Sequence, residues 1–288
     1  MKRTQIVQKT KLIAKRITML SLFRLILLIF LEMMTAVILS MVFSELAERA
    51  VPNAVVKIGP FSIHWASLAS TLVANLFLIP LSLGLAEYLL KLVRRPAEAR
   101  VSEIFLWFAD GEKLKRVLNY FGYVAAFSLV TIPLSTVPTQ YLLDSASRLL
   151  ETLRDQVVAD PTNMMIDWSL VNWPAVGICA GAMLLGALVK IRLFMTPYLF
   201  VDDSAKGSFA AVSESWKLTK GHVLTYIWLM LTFAGWYLLT LLTGFVILLY
   251  VLPYVQIATV IFAEYIRAEH KMRSEDAPQT ADTAASEE

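Results

Sequence analysis

The chain reads as an all-α polytopic membrane helix bundle with six transmembrane helices and both termini on the cytoplasmic side. Three observations predict this. Hydrophobic residues make up 57% of the 288 residues and charged residues 17%, with a mean hydropathy of +0.62. A soluble domain sits near ~45–50% and ~25%, so this chain has too few polar side chains to cover a water-facing surface. Charge-free runs of about 20 residues, the length that crosses a bilayer as a helix, recur along it. Lys and Arg fall almost entirely on one side of those runs. The composition excludes a secreted or cytosolic enzyme and a disordered regulator. A single cysteine, Cys179, excludes a disulfide scaffold.

Residues 1–19 are expected to form a basic amphipathic cytoplasmic helix, with Ile6, Ile13, Ile17 and Leu20 on one side and lysines between them. The membrane domain follows over residues 20–266. Its first span, about 20–43, is apolar but interrupted by Arg24 and Glu32, and no small-x-small cleavage site follows it, so it reads as a span and not as a signal peptide. The second span covers about 65–90, where Trp65–Ala86 lacks Asp, Glu, Lys, Arg and His for 22 residues. The third, about 117–143, is clean for 27 residues. The fourth, about 168–189, is clean for 22. Val223–Ala263 is clean for 41, enough for spans at about 223–242 and 245–266 with a turn near Thr243-Gly244. Residues 267–288, rich in Ser, Asp, Ala, Thr and Glu, read as a disordered cytoplasmic tail.

Orientation follows from the basic residues. The segments expected to be cytoplasmic hold 21 of the 26 Lys and Arg. Four lie on the other side (Arg49, Lys57, Arg148 and Arg154), and Arg24 lies within the first span. This bias predicts N-in and C-in, a multi-pass location in the cell membrane, and an inner face close to anionic lipid headgroups. It predicts no nucleic-acid binding. On the outer side, Asp144–Ala159 is expected to form a short separate helix, N-capped by Asp144 and stopped at Asp160-Pro161.

Amphipathic helices are also expected before spans 3 and 5. Val101, Ile104, Phe105 and Phe108 keep helical spacing, as do Phe209, Val212 and Trp216. Gly111 and Gly221 stand where a left-handed C-cap would end each of them. The even spans each carry a proline, Pro80, Pro197 or Pro253, and two exit alike, through Ala86-Glu87-Tyr88-Leu89 and Ala263-Glu264-Tyr265-Ile266. A unit of surface helix, span and kinked span, used three times, would account for both marks. Gly177, Gly181 and Gly186 give the fourth span a small-residue face, expected to pack closely within the bundle. Trp65, Trp168 and Trp173 fall near the outer interface and Trp107 and Trp216 near the inner one, as aromatic belts.

The last third of the chain carries a further pattern: Thr196-Pro197-Tyr198, Val201-Asp202-Asp203-Ser204, then Ser213 to His222 ending Lys-Gly-His, Phe233-Ala234-Gly235-Trp236, and Leu252-Pro253-Tyr254 ahead of Phe262-Ala263-Glu264-Tyr265. This resembles the bacterial integral membrane family known as domain of unknown function 975, over roughly residues 98–266. The chain departs from the family pattern at Asp203-Ser204 and at Ala263. The resemblance implies a six-span topology and a bacterial origin, and it implies no reaction.

Candidate sites are few. Glu32 lies about 12 residues from either end of the first span, and an ionisable group at that depth is a functional candidate by default. Ser67, Thr71 and Asn75 form a polar stripe at i+4 spacing on the second span, which Glu32 is expected to face. Glu87–Lys91 and Glu264–Arg267 have the spacing of helical ion pairs near the inner surface. Asp202 and Asp203 suit the start of the following surface helix, where negative charge is favourable. With Lys217, Lys220 and His222 they also form a candidate cytoplasmic surface for a ligand or protein partner.

No catalytic, cofactor or metal site is expected. His64, His222 and His270 are far apart, and no HExxH, nucleophile-elbow, Walker or dinucleotide motif is present. The expected partners are membrane lipids and a protein at the cytoplasmic face; oligomeric state is left open. The functional expectation is a non-enzymatic accessory, regulatory or assembly protein. The alternative is a transporter or lipid-handling protein built around Glu32.

Overall fold

The computed structural model describes residues 8, 19–50, 55–58, 61–159, 171–242 and 246–285. The expected N-terminal amphipathic helix, 1–19, falls almost wholly outside them. In chain order the elements are α1 (Met19–Ala50), β1 (Val55–Ile58), β2 (Phe61–His64), α2 (Trp65–Arg94), a 3-10 turn (Pro96–Glu98), α3 (Ser102–Ala109) and α4 (Gly111–Ala159). Then come α5 (Trp173–Leu193), α6 (Thr196–Asp202), α7 (Ser208–Leu218), α8 (Val223–Thr232), α9 (Ala234–Leu242) and α10 (Val246–Ala285).

Among the described residues four helical stretches are long and apolar enough to cross a membrane: Ser21–Ala50, Ala69–Arg94, Trp173–Asp202 and Val251–Arg273. A fifth is the pair α8 and α9, bent by 42° at Phe233, the first residue of the Phe-Ala-Gly-Trp motif. The charge-free run 117–143 is helical as well, inside α4. The apolar parts of α1 and α5 are only 17% buried, against 61% for that of α2. A helix apolar on every side yet covered on so little of its surface requires an apolar solvent.

The chain divides into two compact units, one of Met1–Ile38, Leu76–Phe121 and Ile191–Glu288, the other of Leu39–Asn75 and Gly122–Lys190. The most deeply buried side chains of the first are Leu25 of α1, Leu83, Leu89 and Leu92 of α2, Trp107 of α3, Leu199 and Phe200 of α6, and Phe262 of α10. The second buries Ala74, Ala175 and Cys179 but leaves Leu129, Val130, Leu150, Ile178 and Leu184 exposed.

Several expectations are corrected. The chain between α1 and α2 forms an antiparallel hairpin with Val55 opposite His64 and Ile58 opposite Phe61. Its signal was present: two alternating runs, Val-Val-Lys-Ile and Phe-Ser-Ile-His, around Gly59-Pro60. Asp144 does not cap a separate helix. It lies inside α4, because neither Gly nor Pro interrupts Gln140–Ala159, and the Ser147 hydroxyl donates back to its carbonyl at 2.9 Å. Gly111 is not a C-cap but the first residue of α4, with the Asp110 carboxylate accepting the Glu112 N–H at 3.0 Å. Gly221 does adopt the left-handed region, φ +89.

Pro197 follows a break at Phe194–Met195 that separates α5 from α6, and it occupies the first turn of α6, where its missing N–H costs nothing. A Cβ at Gly177 or Gly181 would meet nothing within 4 Å among the described residues, so the expected close packing is not made there; Gly186 comes only to 3.8 Å of Leu134. α10 continues to Ala285, over the tail whose composition reads as disordered.

The two surface helices are two-faced in an unexpected sense. α3 turns Ile104 and Trp107 inward and leaves Phe105, Leu106 and Phe108 exposed, so Trp107 is a buried residue and not part of a belt. α7 buries Ser208, Ala211, Ser215 and Leu218 and exposes Phe209 and Trp216. The face toward the protein is largely small and hydroxylic in α7, and the outward face is aromatic in both. α3 lies so close to α2 that a Cβ on Gly84 would stand 2.7 Å from the Ile104 carbonyl oxygen.

Candidate functional site

The polar focus of the first unit is an ionic cluster built on the last turns of α2. Glu87, Lys91 and Arg94 follow at i, i+4 and i+7 and so share one stripe of the helix. Glu87 accepts from Lys91 at 3.0 Å, from Lys113 of α4 at 2.9 Å and from the indole N–H of Trp107 at 2.8 Å. Lys91 also donates to Glu103 of α3 at 2.6 Å. One carboxylate thereby ties α2 to α3 and to the start of α4.

Arg94 makes the second half of the cluster. Its guanidinium forks onto Asp202 at the end of α6, Nη1 to Oδ1 and Nη2 to Oδ2. It also reaches Glu264 of α10 through Nε at 3.1 Å and Nη2 at 2.9 Å. Arg267, one turn beyond Glu264, closes the ring onto Asp202 at 2.6 Å and onto Glu264 at 3.4 Å. Two cations and two carboxylates alternate, and the side chains are only 20–38% exposed. Bidentate, partly desolvated pairs of this kind are stronger than the ~0–1 kcal/mol of an open surface pair. Their value lies in connection: α2, α6 and α10 each deliver a carboxylate (Glu87, Asp202, Glu264) to this place, and basic side chains stitch them together.

Arg116 at the head of α4 performs a related task with backbone. It donates to the Phe200 and Asp203 carbonyls, which would otherwise be unmet at the end of α6. Its guanidinium lies over the Phe200 ring at 4.6 Å and the Trp107 ring at 5.5 Å. Burial lowers its pKa from the usual arginine value, an effect opposed by the negative charges of Glu87 and Asp203. α7 is held at both ends. The Ser208 N–H and hydroxyl donate to Asn119 at 2.9 and 3.0 Å, and the Ser215 and Thr219 hydroxyls donate to the Arg192 carbonyl at 2.9 and 3.0 Å, beside the α5–α6 break. The Arg192 guanidinium lies 5.2 Å from the exposed Trp216 ring.

An open cleft of about 420 Å³ sits against the cluster, lined by Glu87, Leu90, Lys91, Arg94, Arg95, Glu98, Val201 and Asp202. Arg95 and Glu98 form its exposed charged pair, in contact at 3.4 Å.

Of the residues singled out in the sequence, Asp202 enters the ring. Asp203 does not cap α7, whose N-cap is Gly207 without a side-chain bond; its carboxylate instead accepts the Ala205 N–H at 3.0 Å, with Lys206 at 3.6 Å. Lys217 on the last turn of α7 and Lys220 just beyond it are exposed and make no ion pair among the described residues. His222 stands edge-on to Tyr265 at 6.5 Å. Glu32 is half-buried on α1 in the first unit, while Thr71 and Asn75 lie half-buried on α2 in the second. Ser67 is helical, and its side chain lies outside the described residues.

Both expected helical pairs form, Glu87–Lys91 and Glu264–Arg267. Sequence spacing could not reveal that Arg94, 108 residues from Asp202 and 170 from Glu264, joins them. The near-identical Ala-Glu-Tyr exits of the two helices were the available hint. Among the described residues no set of three or more His, Cys, Asp or Glu is placed to hold a metal, and each carboxylate of the ionic cluster already faces a cation.

No curated protein and no solved structure matches this chain. A family model does, over residues 2–270, which reaches well beyond the 98–266 that the motifs alone cover. The chain belongs to the family described as "Protein of unknown function (DUF975)".

Proposed function

We propose that this is a six-span, N-in and C-in protein of the bacterial cytoplasmic membrane. Its role is non-enzymatic: accessory, regulatory or in assembly, exercised at the inner face. The observation that carries the reading is the ionic cluster. It joins the ends of α2 and α6 and the middle of α10 to α3 and to the head of α4, so its charges are committed to holding a platform together. The outward aromatic faces of α3 and α7 support a platform seated at headgroup depth, with Lys217 and Lys220 turned to the cytoplasm.

Two measurements test this. Single cysteines in a Cys179→Ala background should be labelled by an impermeant thiol reagent only from the inside at Lys217→Cys and only from the outside at Arg148→Cys. The protein should then be extracted in native-lipid nanodiscs and its co-purifying components identified by mass spectrometry, with Glu32→Gln as control. A stoichiometric protein partner that survives Glu32→Gln supports the accessory role. A bound small molecule lost on Glu32→Gln overturns it in favour of transport through the bundle.

A further inference from the structure

The cleft beside the ionic cluster has charges of both signs and a division of labour among them. Arg94 is spent: its Nε, Nη1 and Nη2 all donate to Asp202 and Glu264. Lys91 is shared between Glu87 and Glu103. Arg95 and Glu98 are not committed in this way. They are 73% and 61% exposed and meet only through one guanidinium nitrogen at 3.4–3.5 Å. An exposed contact of that kind is worth about 0–1 kcal/mol, so a ligand can replace it at little cost. Arg95 then offers a planar donor fork, which suits a phosphate. Glu98, on the same short turn, offers a carboxylate, which suits an ammonium.

With these two included, the charged lining of the cleft is electrically balanced. Lys91, Arg94 and Arg95 stand against Glu87, Glu98 and Asp202. Such a site does not concentrate a simple anion or a simple cation; it favours a molecule carrying one of each. The volume, about 420 Å³, lies in the range of small-ligand sites. The cleft's position selects the source. α3 is bonded to α2 beside it through Lys91–Glu103 and turns Phe105, Leu106 and Phe108 outward, an apolar face suited to acyl chains next to a headgroup.

We propose that the cleft binds a phosphate–ammonium zwitterion, the headgroup of a phosphatidylethanolamine-type lipid, with the phosphate on Arg95 and the ammonium on Glu98. This rests on the reading of this end of the protein as the one at headgroup depth. Its test does not use that topology. The full-length protein in detergent is titrated by native mass spectrometry with dioleoylphosphatidylethanolamine, with dioleoylphosphatidylglycerol, and with soluble glycerophosphoethanolamine.

The wild type should bind the ethanolamine lipid at least about fivefold more tightly than the glycerol lipid. Arg95→Ala combined with Glu98→Ala should abolish that preference. Glu98→Gln alone, which spares the phosphate contact, should shift the preference toward the glycerol lipid. Binding of the soluble headgroup as tightly as the lipid would keep the zwitterion and make its source soluble; binding of the lipid alone assigns the membrane. Equal or tighter binding of the glycerol lipid by the wild type, or an unchanged preference in either variant, overturns the proposal. Glu32→Gln should leave this binding intact, so loss of the accessory reading and loss of this site are separately visible.

Discussion

Replacing Gly84 by alanine sets two effects of known sign against each other. In an exposed helix the change would stabilise, since alanine exceeds glycine in helix propensity by ~1 kcal/mol. Here a Cβ would stand 2.7 Å from the Ile104 carbonyl oxygen and 2.8 Å from its Cα and Cγ2. Two of those atoms are backbone, so no rotamer change relieves the contact. Ordinary separation is roughly 3.5 Å, so α3 must withdraw by about 0.8 Å.

A rigid withdrawal of that size stretches the Trp107–Glu87 bond from 2.8 Å and the Lys91–Glu103 bond from 2.6 Å, to roughly 3.4 Å or more, past useful hydrogen bonding. Overpacking costs about 1–3 kcal/mol, and the two weakened charge-assisted bonds, discounted for partial exposure, add about 1–2 kcal/mol. After the propensity gain the net is a loss of about 2 kcal/mol, or roughly 3–4 °C in apparent Tm for a chain of 288 residues. The assay is a thermal melt of the full-length protein in detergent, with hydrogen exchange read over residues 102–109. Gly84→Ala should lower Tm and speed exchange in α3. An unchanged or raised Tm with α3 still protected would refute the close approach and, with it, the argument that Gly84 allows the surface helix to dock.

Arg94→Gln should cost about 1–3 kcal/mol, because Asp202 and Glu264 are left with Arg267 alone; a melt matching wild type in low salt would show that the ring contributes nothing. Gly221→Ala meets no atom within 4 Å but forces a side chain into φ +89, so it should lose about 1–2 kcal/mol through backbone strain alone, and an unchanged Tm would place the strain elsewhere. Asn119→Ala removes the Oδ1 acceptor of the Ser208 N–H but keeps the backbone carbonyl that the Ser208 hydroxyl reaches, so it should speed exchange at the first turn of α7 while leaving α3 unaffected. Arg116→Met keeps a stem over Phe200 and Trp107 but abandons the α6 carbonyls, so it should destabilise more than Arg95→Ala, and the reverse order would discount the carbonyl contacts.

Much of the architecture is legible in one dimension because it depends on local quantities. Whether a segment can cross a bilayer is a property of about 20 consecutive side chains, and the expected runs fall on helices over 65–90, 173–189, 223–232, 234–242 and 246–266. Ion pairs at i+3 and i+4 are local too, and both expected pairs form. So is the left-handed Gly221. The errors arise where a local signal had no unique consequence. Asp144 can cap a helix or sit within one, and only the absence of a nearby breaker decides. Gly111 can end one helix or open the next. The apolar spacing of α3 and α7 marked them as surface helices but not which residues face the protein.

That choice belongs to tertiary structure. α3 buries Ile104 and Trp107 because Gly84 on α2 leaves room for its backbone and Glu87 supplies an acceptor for the indole. α7 buries serines because Asn119 and the Arg192 carbonyl are placed to receive them. Likewise the sequence by itself determined that this is a helical protein with several segments long and apolar enough to cross a membrane. It could not determine that Arg94 would join Asp202 and Glu264 across 108 and 170 residues. Pairing over such distances depends on where helices meet, and that is decided by packing, not by spacing along the chain.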